Sequence, residues 1–372
     1  MIGLLKEIKN LPHSIKLLSF LMFVYNLGWG IVIPFLPLYY KEILKTYTAT
    51  GIIIGLLPLL KIFWDFPIGL SLDRVSKRTA LRYVLILYFP LSYILLSLRT
   101  LFGFIYFRIY HSFLASFLWL SSQTYLRANS PKEKETISFA FFDSLSNFSL
   151  ILGPFLGACL IYKYGFSILW AISFFAFLSF LISFFLPKEK KVSPKPAFFY
   201  NKKFLKVCFF LFLFILASSS LGMLLPLFLN YLGASYFQIG LFYGFFSFPS
   251  LFEFYFGNLK EKKKLIRLAL ISGAFLFSLM YFFKNVYLLS LIVFLLSFCI
   301  TAIIPHLQGR LTTLMPFEKI GSFSAVANIF IHLGGFIGPF LAGVISDFFG
   351  LRYVFIGSSL IFLILLILQK EL

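Results

Sequence analysis

The sequence predicts an all-α integral membrane protein with twelve transmembrane helices, arranged as two pseudo-symmetric six-helix bundles. Three observations predict this fold class. Hydrophobic residues make up 60% of the 372 positions and charged residues 12%, whereas soluble proteins average about 45–50% and about 25%. Long apolar runs are continuous rather than alternating, which favours helices over a transmembrane barrel. Part of the first half of the chain also recurs in the second half.

Twelve charge-poor intervals are long enough to cross a bilayer as helices, which takes about 20 residues each. We predict spans at 17–40, 46–70, 83–98, 101–126, 136–162, 165–186, 207–231, 235–258, 265–283, 286–309, 320–348 and 353–369. The first run is too long for the apolar region of a cleaved signal and lacks a small-residue cleavage site. The short connections leave no room for a soluble domain.

The basic residues predict the orientation of these spans. Of the 33 Lys and Arg, 25 fall in segments on one side of the alternating topology and six on the other, while Lys61 and Arg108 lie within spans. The positive-inside rule then predicts a multi-pass protein of the cell (plasma) membrane with both termini in the cytoplasm. The net charge of +20 follows from this topology, so we expect no nucleic-acid partner.

An internal repeat predicts the division into two bundles. A shift of 185 residues aligns 123–165 with 308–350, with 11 identities in 43 positions that include matched Gly, Pro, Gln and Glu. An offset of half the chain is typical of the parallel repeats of transporters. We expect an N-terminal six-helix bundle at 1–187, a cytoplasmic linker at 188–203 and a C-terminal six-helix bundle at 204–372.

The loop after the second span carries a motif. Its characteristic residues are Gly69, Asp73, Arg74, Lys77 and Arg78. They resemble the signature loop of the major facilitator superfamily, and the sequence departs from that pattern at Ser76, where the family usually has Gly. The resemblance extends over essentially the whole chain and implies a gating loop, with Asp73 at the start of the eleventh helix near Ser322. An ordinary positive-inside loop would explain the basic residues but not Gly69 and Asp73.

A second motif, in the fifth span, predicts a helix bend. Gly153, Pro154 and Gly157 look like the Gly-Pro motif that the family associates with antiporters, and Gly338, Pro339 and Gly343 repeat it in the eleventh span. Glycine permits close helix approach, and proline frees a backbone carbonyl. Because the motif recurs broadly in the family, it is weak evidence for export.

Arg108 in the fourth span matches the first residue of the family's Arg-x-x-Gln-Gly motif, which is linked to proton coupling. His111 and Ser112 replace the Gln and Gly. An arginine at membrane depth is costly unless it faces a partner or water. We therefore interpret Arg108 as a cavity residue; the alternative is a side chain that snorkels to the outer surface.

Acidic residues within the spans are the candidates for proton coupling. Asp143, Glu253 and Asp65 lie in the fifth, eighth and second spans, where a medium of low dielectric lets a carboxyl group keep its proton. Asp65 is four residues from Lys61, and the two could instead form a structural pair. Asp143 and Glu253 could likewise be acids that only support helix packing.

The family resemblance also implies which residues line the transport path, chiefly on helices one, four, seven and ten. The candidates for the cavity or the substrate contacts are Asn26, Arg108, His111, Asn147, Ser219 and Gln308. The remaining lining is aromatic and aliphatic, which suits an amphipathic organic solute better than a sugar.

We therefore expect a secondary active transporter of small amphipathic solutes, coupled to protons and working in efflux by alternating access. A substrate-driven uniporter or uptake permease on the same fold is the first alternative. An integral-membrane enzyme or lipid scramblase is the second, although no cluster of catalytic side chains is visible at the membrane surface. We expect no cofactor, no metal and no catalytic residue, and a monomer in the lipid bilayer whose partners are the substrate and protons.

Overall fold

The computed structural model describes residues 11–72, 75–131, 135–188, 202–257, 262–314 and 320–369. These residues form helices joined by short turns, with no strand among them, and each predicted span coincides with a helical segment. Large apolar side chains such as Phe102 and Tyr162 are exposed, as expected of a surface that faces lipid. These features confirm the predicted all-α membrane fold.

The helices of the first half of the chain follow the predicted order. They are α1a (His13–Val32), α1b (Leu36–Leu44), α2 (Tyr47–Leu72), α3a (Lys77–Leu87), α3b (Leu91–Ser97), α4 (Leu101–Asn129), α5 (Glu135–Tyr164) and α6 (Trp170–Ser183). Those of the second half are α7 (Lys202–Tyr231), α8a (Tyr236–Ser247), α8b (Glu253–Gly257), α9 (Lys262–Phe282), α10 (Val286–Leu314), α11 (Ile320–Phe348) and α12 (Tyr353–Leu368).

Within the described part of the chain, nine helical stretches are long and apolar enough to cross a membrane. One of them, Ile137–Ser183, contains two predicted spans, and α12 is shorter, with 16 residues. These nine stretches thus correspond to all of the predicted spans except the eighth and the twelfth.

Three spans that we predicted as continuous helices are interrupted. The first passes through a 3-10 turn at Ile33–Phe35, the third breaks between Leu87 and Leu91, and the eighth passes through a 3-10 turn at Phe248–Phe252. Pro34, Pro90 and Pro249 lie at these three places. Proline has no N–H to donate and its ring clashes with the preceding turn, so the regular helix ends there.

The chain forms two compact units. The first comprises residues 1–34 and 63–193, and the second comprises 35–62 and 194–372. Residues 35–62 belong to the second unit because α2 lies directly against α11: a Cβ atom added to Gly55 would fall 2.7 Å from the carbonyl oxygen of Phe336. The six-helix halves expected from the repeat stay a prediction.

The helix contacts follow the internal repeat. In the first unit, a Cβ at Gly153 of α5 would lie 2.7 Å from the backbone nitrogen of Ile31 in α1a. In the second unit, a Cβ at Gly338 of α11 would overlap the backbone of Leu216 in α7. Gly153 and Gly338 are 185 residues apart, and so are Ile31 and Leu216. In each repeat a glycine therefore lets two helices pack closely, and the two pairs, α1a with α5 and α7 with α11, are equivalent. Pro154 and Pro339, the next residues, lie inside helices that continue past them.

Hydrogen bonds between helix ends agree with the alternating topology. In the first unit, Arg82 donates to the carbonyl oxygen of Ser183, and the hydroxyl of Tyr125 donates to that of Pro187. In the second, the side-chain amide of Gln369 donates to the carbonyl oxygen of Lys263. Each bond joins segments that the predicted topology places on the same side of the membrane. Which side is cytoplasmic remains a prediction.

Candidate functional site

Arg108 lies on α4 in the first unit, and it is buried with 3% of its surface exposed. Its Nη1 atom is 3.1 Å from Nδ1 of His111, one turn further along the same helix, where 3% of the His111 surface is exposed. The guanidinium therefore points towards the middle of α4 instead of towards its beginning at Leu101. This placement supports the interpretation as an internal residue over a side chain that snorkels to the surface.

The contact assigns the protonation state of His111. A guanidinium has only donors, so Arg108 donates and His111 Nδ1 must accept. An imidazole nitrogen accepts only when it carries no proton. His111 is therefore neutral in this arrangement, with its proton on Nε2.

Aromatic side chains from two further helices enclose this pair. The ring of Trp29, on α1a, stacks on the His111 imidazole with centroids 4.5 Å apart and planes 2° apart. Trp29 Nε1 donates to the hydroxyl of Tyr25 at 2.8 Å. Tyr88, at the end of α3a, meets Tyr25 edge to face at 5.2 Å and His111 at 6.0 Å. We call Tyr25, Trp29, Tyr88, Arg108 and His111 the arginine–aromatic cluster.

Ser112 connects this cluster to α2. Its hydroxyl donates to the carbonyl oxygen of Ile109 at 2.9 Å and accepts a hydrogen bond from Trp64 Nε1 at 3.1 Å. Ser112 stands where the family pattern has Gly. The hydroxyl thus serves a structural purpose, since it satisfies the indole N–H of Trp64 inside the unit.

Chemically, the arginine–aromatic cluster holds one fixed positive charge within a membrane-spanning segment, next to a group that can accept a proton. A charge at membrane depth is expensive, and such residues are usually functional. Among the described residues, no group of three His, Cys, Asp or Glu could hold a metal ion. The chemistry that Arg108 and His111 themselves offer is electrostatic control and proton binding.

The three acidic candidates occupy different surroundings. Asp143 is exposed on α5, Glu253 is half-buried at the start of α8b, and Asp65 is half-buried on α2, next to Trp64. The break before Glu253 places this carboxyl at a helix start instead of in mid-helix. Their roles in proton coupling remain predictions.

The polar candidates for the cavity are also spread over several helices. Asn26 on α1a and Asn147 on α5 are half-buried, and Gln308 on α10 is exposed. Ser219 on α7 donates to the carbonyl oxygen of Gly334 on α11 at 3.2 Å. This bond lies beside the close contact at Gly338, so Ser219 contributes to helix packing.

The predicted gating loop is described in part. Gly69 lies near the end of α2, and Lys77 and Arg78 begin α3a. Ser76 caps that helix, because its side chain accepts a hydrogen bond from the backbone N–H of Thr79 at 3.4 Å. Asp73 and Arg74 lie outside the described residues, so the predicted contact with the eleventh helix stays a prediction.

Sequence reasoning missed four aromatic residues of the site: Tyr25, Trp29, Trp64 and Tyr88. In a chain with 54 Phe, 20 Tyr and 4 Trp, an aromatic residue within a span carries little information. The spacing of Tyr25 and Trp29, four residues apart beside Asn26, was a usable signal because it puts both rings on one helix face. Asp347, an acid at the end of the eleventh span, was also missed.

Comparisons with known proteins agree with this architecture. Residues 207–369 match the family model described as Major Facilitator Superfamily. An uncharacterized MFS-type transporter of Methanocaldococcus jannaschii is 23% identical, over 94% of this chain and 96% of its own. The quinolone resistance protein NorA of Staphylococcus aureus strain MSSA476 is 25% identical, over 96% of this chain and 97% of its own.

Solved structures share the fold. A bacterial homologue of the human lysosomal transporter Spinster, in an inward-facing and occupied conformation, superposes with a TM-score of 0.80 at 10% identity, covering 96% of this chain and 95% of that one. The human organic anion transporter MFSD10 (TETRAN) gives 0.72 at 15% identity, covering 96% and 100%. This family and fold are those of transporters and not of enzymes. The chain therefore has the fold of multi-pass membrane transporters, and its second half matches the major facilitator superfamily.

Proposed function

We propose that the protein exports small amphipathic organic solutes across the cell membrane by alternating access, in exchange for protons. The observation that carries this proposal is the arginine–aromatic cluster, in which Arg108 and His111 are buried together within a membrane-spanning segment. A transporter that only provides a passive path has no need of a buried charge beside a titratable ring. A proton-coupled transporter needs a group whose charge changes during the cycle.

The substrate class rests on two further arguments. The membrane-spanning segments of this chain are rich in aromatic and aliphatic side chains, and aromatic residues are 21% of the sequence. A path of this composition favours solutes with a planar apolar body and a few polar groups. The relative NorA is named for quinolone resistance, and quinolones are amphipathic aromatic solutes. Norfloxacin, a fluorescent quinolone, is therefore the first probe.

Alternating access would move the two halves proposed from the repeat, residues 1–187 and 204–372, about the linker at 188–203. The gating loop at Gly69, Asp73, Arg74, Lys77 and Arg78 would hold one of the two alternating states. The parallel repeat supports this mechanism, because related halves can exchange equivalent contacts when access changes sides.

The experiment is transport of norfloxacin by the purified full chain in proteoliposomes. An imposed pH gradient should drive norfloxacin against its concentration gradient, and collapsing the gradient with a protonophore should abolish accumulation. Liposomes without protein are the control. Flux that only dissipates a norfloxacin gradient, at a rate independent of the pH gradient, would identify a uniporter and contradict proton coupling. Cells that express the protein should become resistant to norfloxacin. If they instead take up more norfloxacin than control cells, the proposed efflux direction is wrong.

A further inference from the structure

We propose that His111 is a positioning residue for Arg108: the neutral imidazole holds the guanidinium, and protonation of His111 releases it. This inference deepens the proposed transport function and rests on it for its consequence in the transport cycle. Its structural part concerns two side chains of one helix and can be tested on the protein alone.

The release follows from the hydrogen-bond chemistry of the pair. Arg108 Nη1 and His111 Nδ1 are 3.1 Å apart, and the nitrogen of His111 is the acceptor. A protonated imidazole carries N–H groups at both nitrogens. Two donors would then face each other at hydrogen-bond distance, and both side chains would be positively charged. The contact cannot persist in that state, so one of the two side chains must move.

The packing indicates that Arg108 is the side chain that moves. The His111 ring is held on one face by Trp29, at 4.5 Å with parallel planes, and Tyr88 approaches it edge to face at 6.0 Å. Phe107, on the same helix, lies 5.7 Å from it. A protonated imidazole remains favourable against the face of Trp29, because the indole attracts cations. The guanidinium is at the end of a flexible chain and has the greater freedom to turn away.

The described groups that contact His111 come from three parts of the first unit. Arg108 and Phe107 belong to α4, Trp29 belongs to α1a, and Tyr88 directly follows α3a. Tyr25 lies behind Trp29 and accepts its indole N–H. Among these described contacts, Arg108 brings a charge to the ring, and the tyrosines stay neutral across the range in which a histidine titrates. The proton on His111 and the position of Arg108 are therefore coupled directly.

The consequence for transport is a pH dependence that does not require a proton gradient. A histidine without charged neighbours changes charge between about pH 5 and 8, and the Arg108 charge moves this change towards the acidic end of that interval. The position of the buried guanidinium would change in the same interval, and with it the electrostatic potential along the transport path. Exchange of norfloxacin at equal pH on both sides should therefore vary with pH in the wild-type protein.

The first test uses nuclear magnetic resonance of the full chain in nanodiscs, with histidine labelled in its ring. The chain has four histidines, and His13→Gln, His306→Gln and His332→Gln assign three of them, which leaves His111. We expect the Nε2–H tautomer for His111 at neutral pH. We also expect Arg108→Met to raise the protonation midpoint of His111 by about one pH unit or more, because it removes a neighbouring positive charge, while the midpoint of His306 in the second unit stays unchanged. An Nδ1–H tautomer, or a midpoint that Arg108→Met lowers or leaves unchanged, would overturn the proposal.

The second test compares His111→Gln with His306→Gln in equilibrium exchange of norfloxacin between pH 5 and 8. A glutamine carbonyl can still accept from Arg108 but cannot titrate, so the exchange that His111→Gln retains, whatever its rate, should no longer depend on pH. His306→Gln, which removes a buried histidine from the second unit, should keep the wild-type profile. A wild-type profile in His111→Gln would refute the positioning role. If the wild-type protein shows no norfloxacin flux, the proposed substrate class is wrong. The magnetic resonance test would still decide whether His111 positions Arg108.

Discussion

Asp347, at the end of α11, caps the first turn of α2: its Oδ2 accepts the backbone N–H of Thr48 at 2.7 Å. Oδ1 of the same carboxylate accepts the N–H of Tyr47 at 3.0 Å. A carboxylate at a helix N-terminus satisfies unpaired donors and is favoured by the helix dipole. The contact joins the start of α2 to the end of α11, whereas the family resemblance implies a contact of Asp73, in the loop after α2, with the start of α11.

Removing this cap should destabilise the protein. Asp347→Ala removes both acceptors and should cost about 0.5–2 kcal/mol, the usual effect of losing an N-cap. That loss should lower the apparent unfolding temperature in detergent by a few degrees, roughly 2–4 °C per kcal/mol for a large chain. Asp347→Asn keeps one acceptor, so its unfolding temperature should lie between those of the wild type and of Asp347→Ala.

Glu42→Gln, which removes an exposed charge from α1b, is the control and should unfold at the same temperature as the wild type. Equal unfolding temperatures for Asp347→Ala and Glu42→Gln would show that the cap adds nothing.

Most of the fold could be predicted because hydrophobicity and charge vary on the length scale of a membrane-spanning helix. The repeat could also be recognised, and the matching contacts of Gly153 with Ile31 and Gly338 with Leu216 show its structural meaning. The helix breaks near Pro34, Pro90 and Pro249 were not predicted. Pro154 and Pro339 lie inside uninterrupted helices, so a proline alone does not tell which helix will break.

The candidate site was harder to predict than the fold. Arg108 and His111 could be identified because charged residues are rare within spans. Trp29 and Tyr88 could not, because their importance comes from tertiary contacts with His111, and a sequence so rich in aromatic residues conceals them. The contact of Asp347 with Thr48 connects residues 299 positions apart, which no local pattern encodes.

The paired glycines give a second prediction. Gly153→Ala and Gly338→Ala each place a methyl group inside the backbone contact of two helices, and overpacking of this kind typically costs about 1–3 kcal/mol. Both variants should lose thermal stability and yield in detergent. Gly222→Ala and Gly357→Ala are matched controls, because a Cβ at either position meets no described atom within 4 Å. Wild-type stability of the first two variants would mean that the helices can separate without cost.

Arg82 gives a third prediction. Its guanidinium donates to the carbonyl oxygens of Ser183 and Phe184 at 3.3 and 3.1 Å, and it lies 4.7 Å from the centre of the Phe184 ring. It thereby adds donors where α6 ends: the carbonyl oxygen of Ser183 also accepts the backbone N–H of Leu186 at 3.3 Å, and Phe184 is the next residue after the helix. Arg82→Lys keeps the charge but loses the forked geometry, and it should cost about 1 kcal/mol in thermal stability. Arg78→Lys makes the same change one turn away and should be neutral; an equal loss from both would argue against a specific cap.

The gating loop gives a fourth prediction. Asp73→Asn should reduce norfloxacin transport by about tenfold or more, the effect of roughly 1.4 kcal/mol on the rate-limiting step, and leave expression and binding of norfloxacin largely intact. Ser76→Gly is the control in the same loop. It restores the residue usual in the family and costs only a few tenths of a kcal/mol, because glycine is itself an acceptable N-cap. Wild-type flux in Asp73→Asn would refute the gating role.

The fifth prediction concerns the residue that carries the coupled proton, for which Asp143 and Glu253 are the leading candidates and His111 or Asp65 the next. A carboxylate within a membrane-spanning segment must pair, bind a proton or face water, since its charge is otherwise too costly. Alternating access changes the hydration of such a group and therefore its affinity for a proton. This change would couple proton movement to solute movement.

Two transport modes separate a coupling acid from an acid that only supports packing. Asp143→Asn and Glu253→Gln keep the size and hydrogen-bonding capacity of the side chain but cannot release a proton. The variant of the coupling acid should lose accumulation of norfloxacin driven by a pH gradient, by about tenfold or more, and keep equilibrium exchange, which needs no net proton movement. If an acid only supports helix packing, its variant should lose both transport modes and also thermal stability.

The control variant Glu42→Gln should retain both transport modes. If both candidate variants still accumulate norfloxacin in response to a pH gradient, neither acid carries the proton, and His111→Gln and Asp65→Asn are the next variants to test in the same two modes.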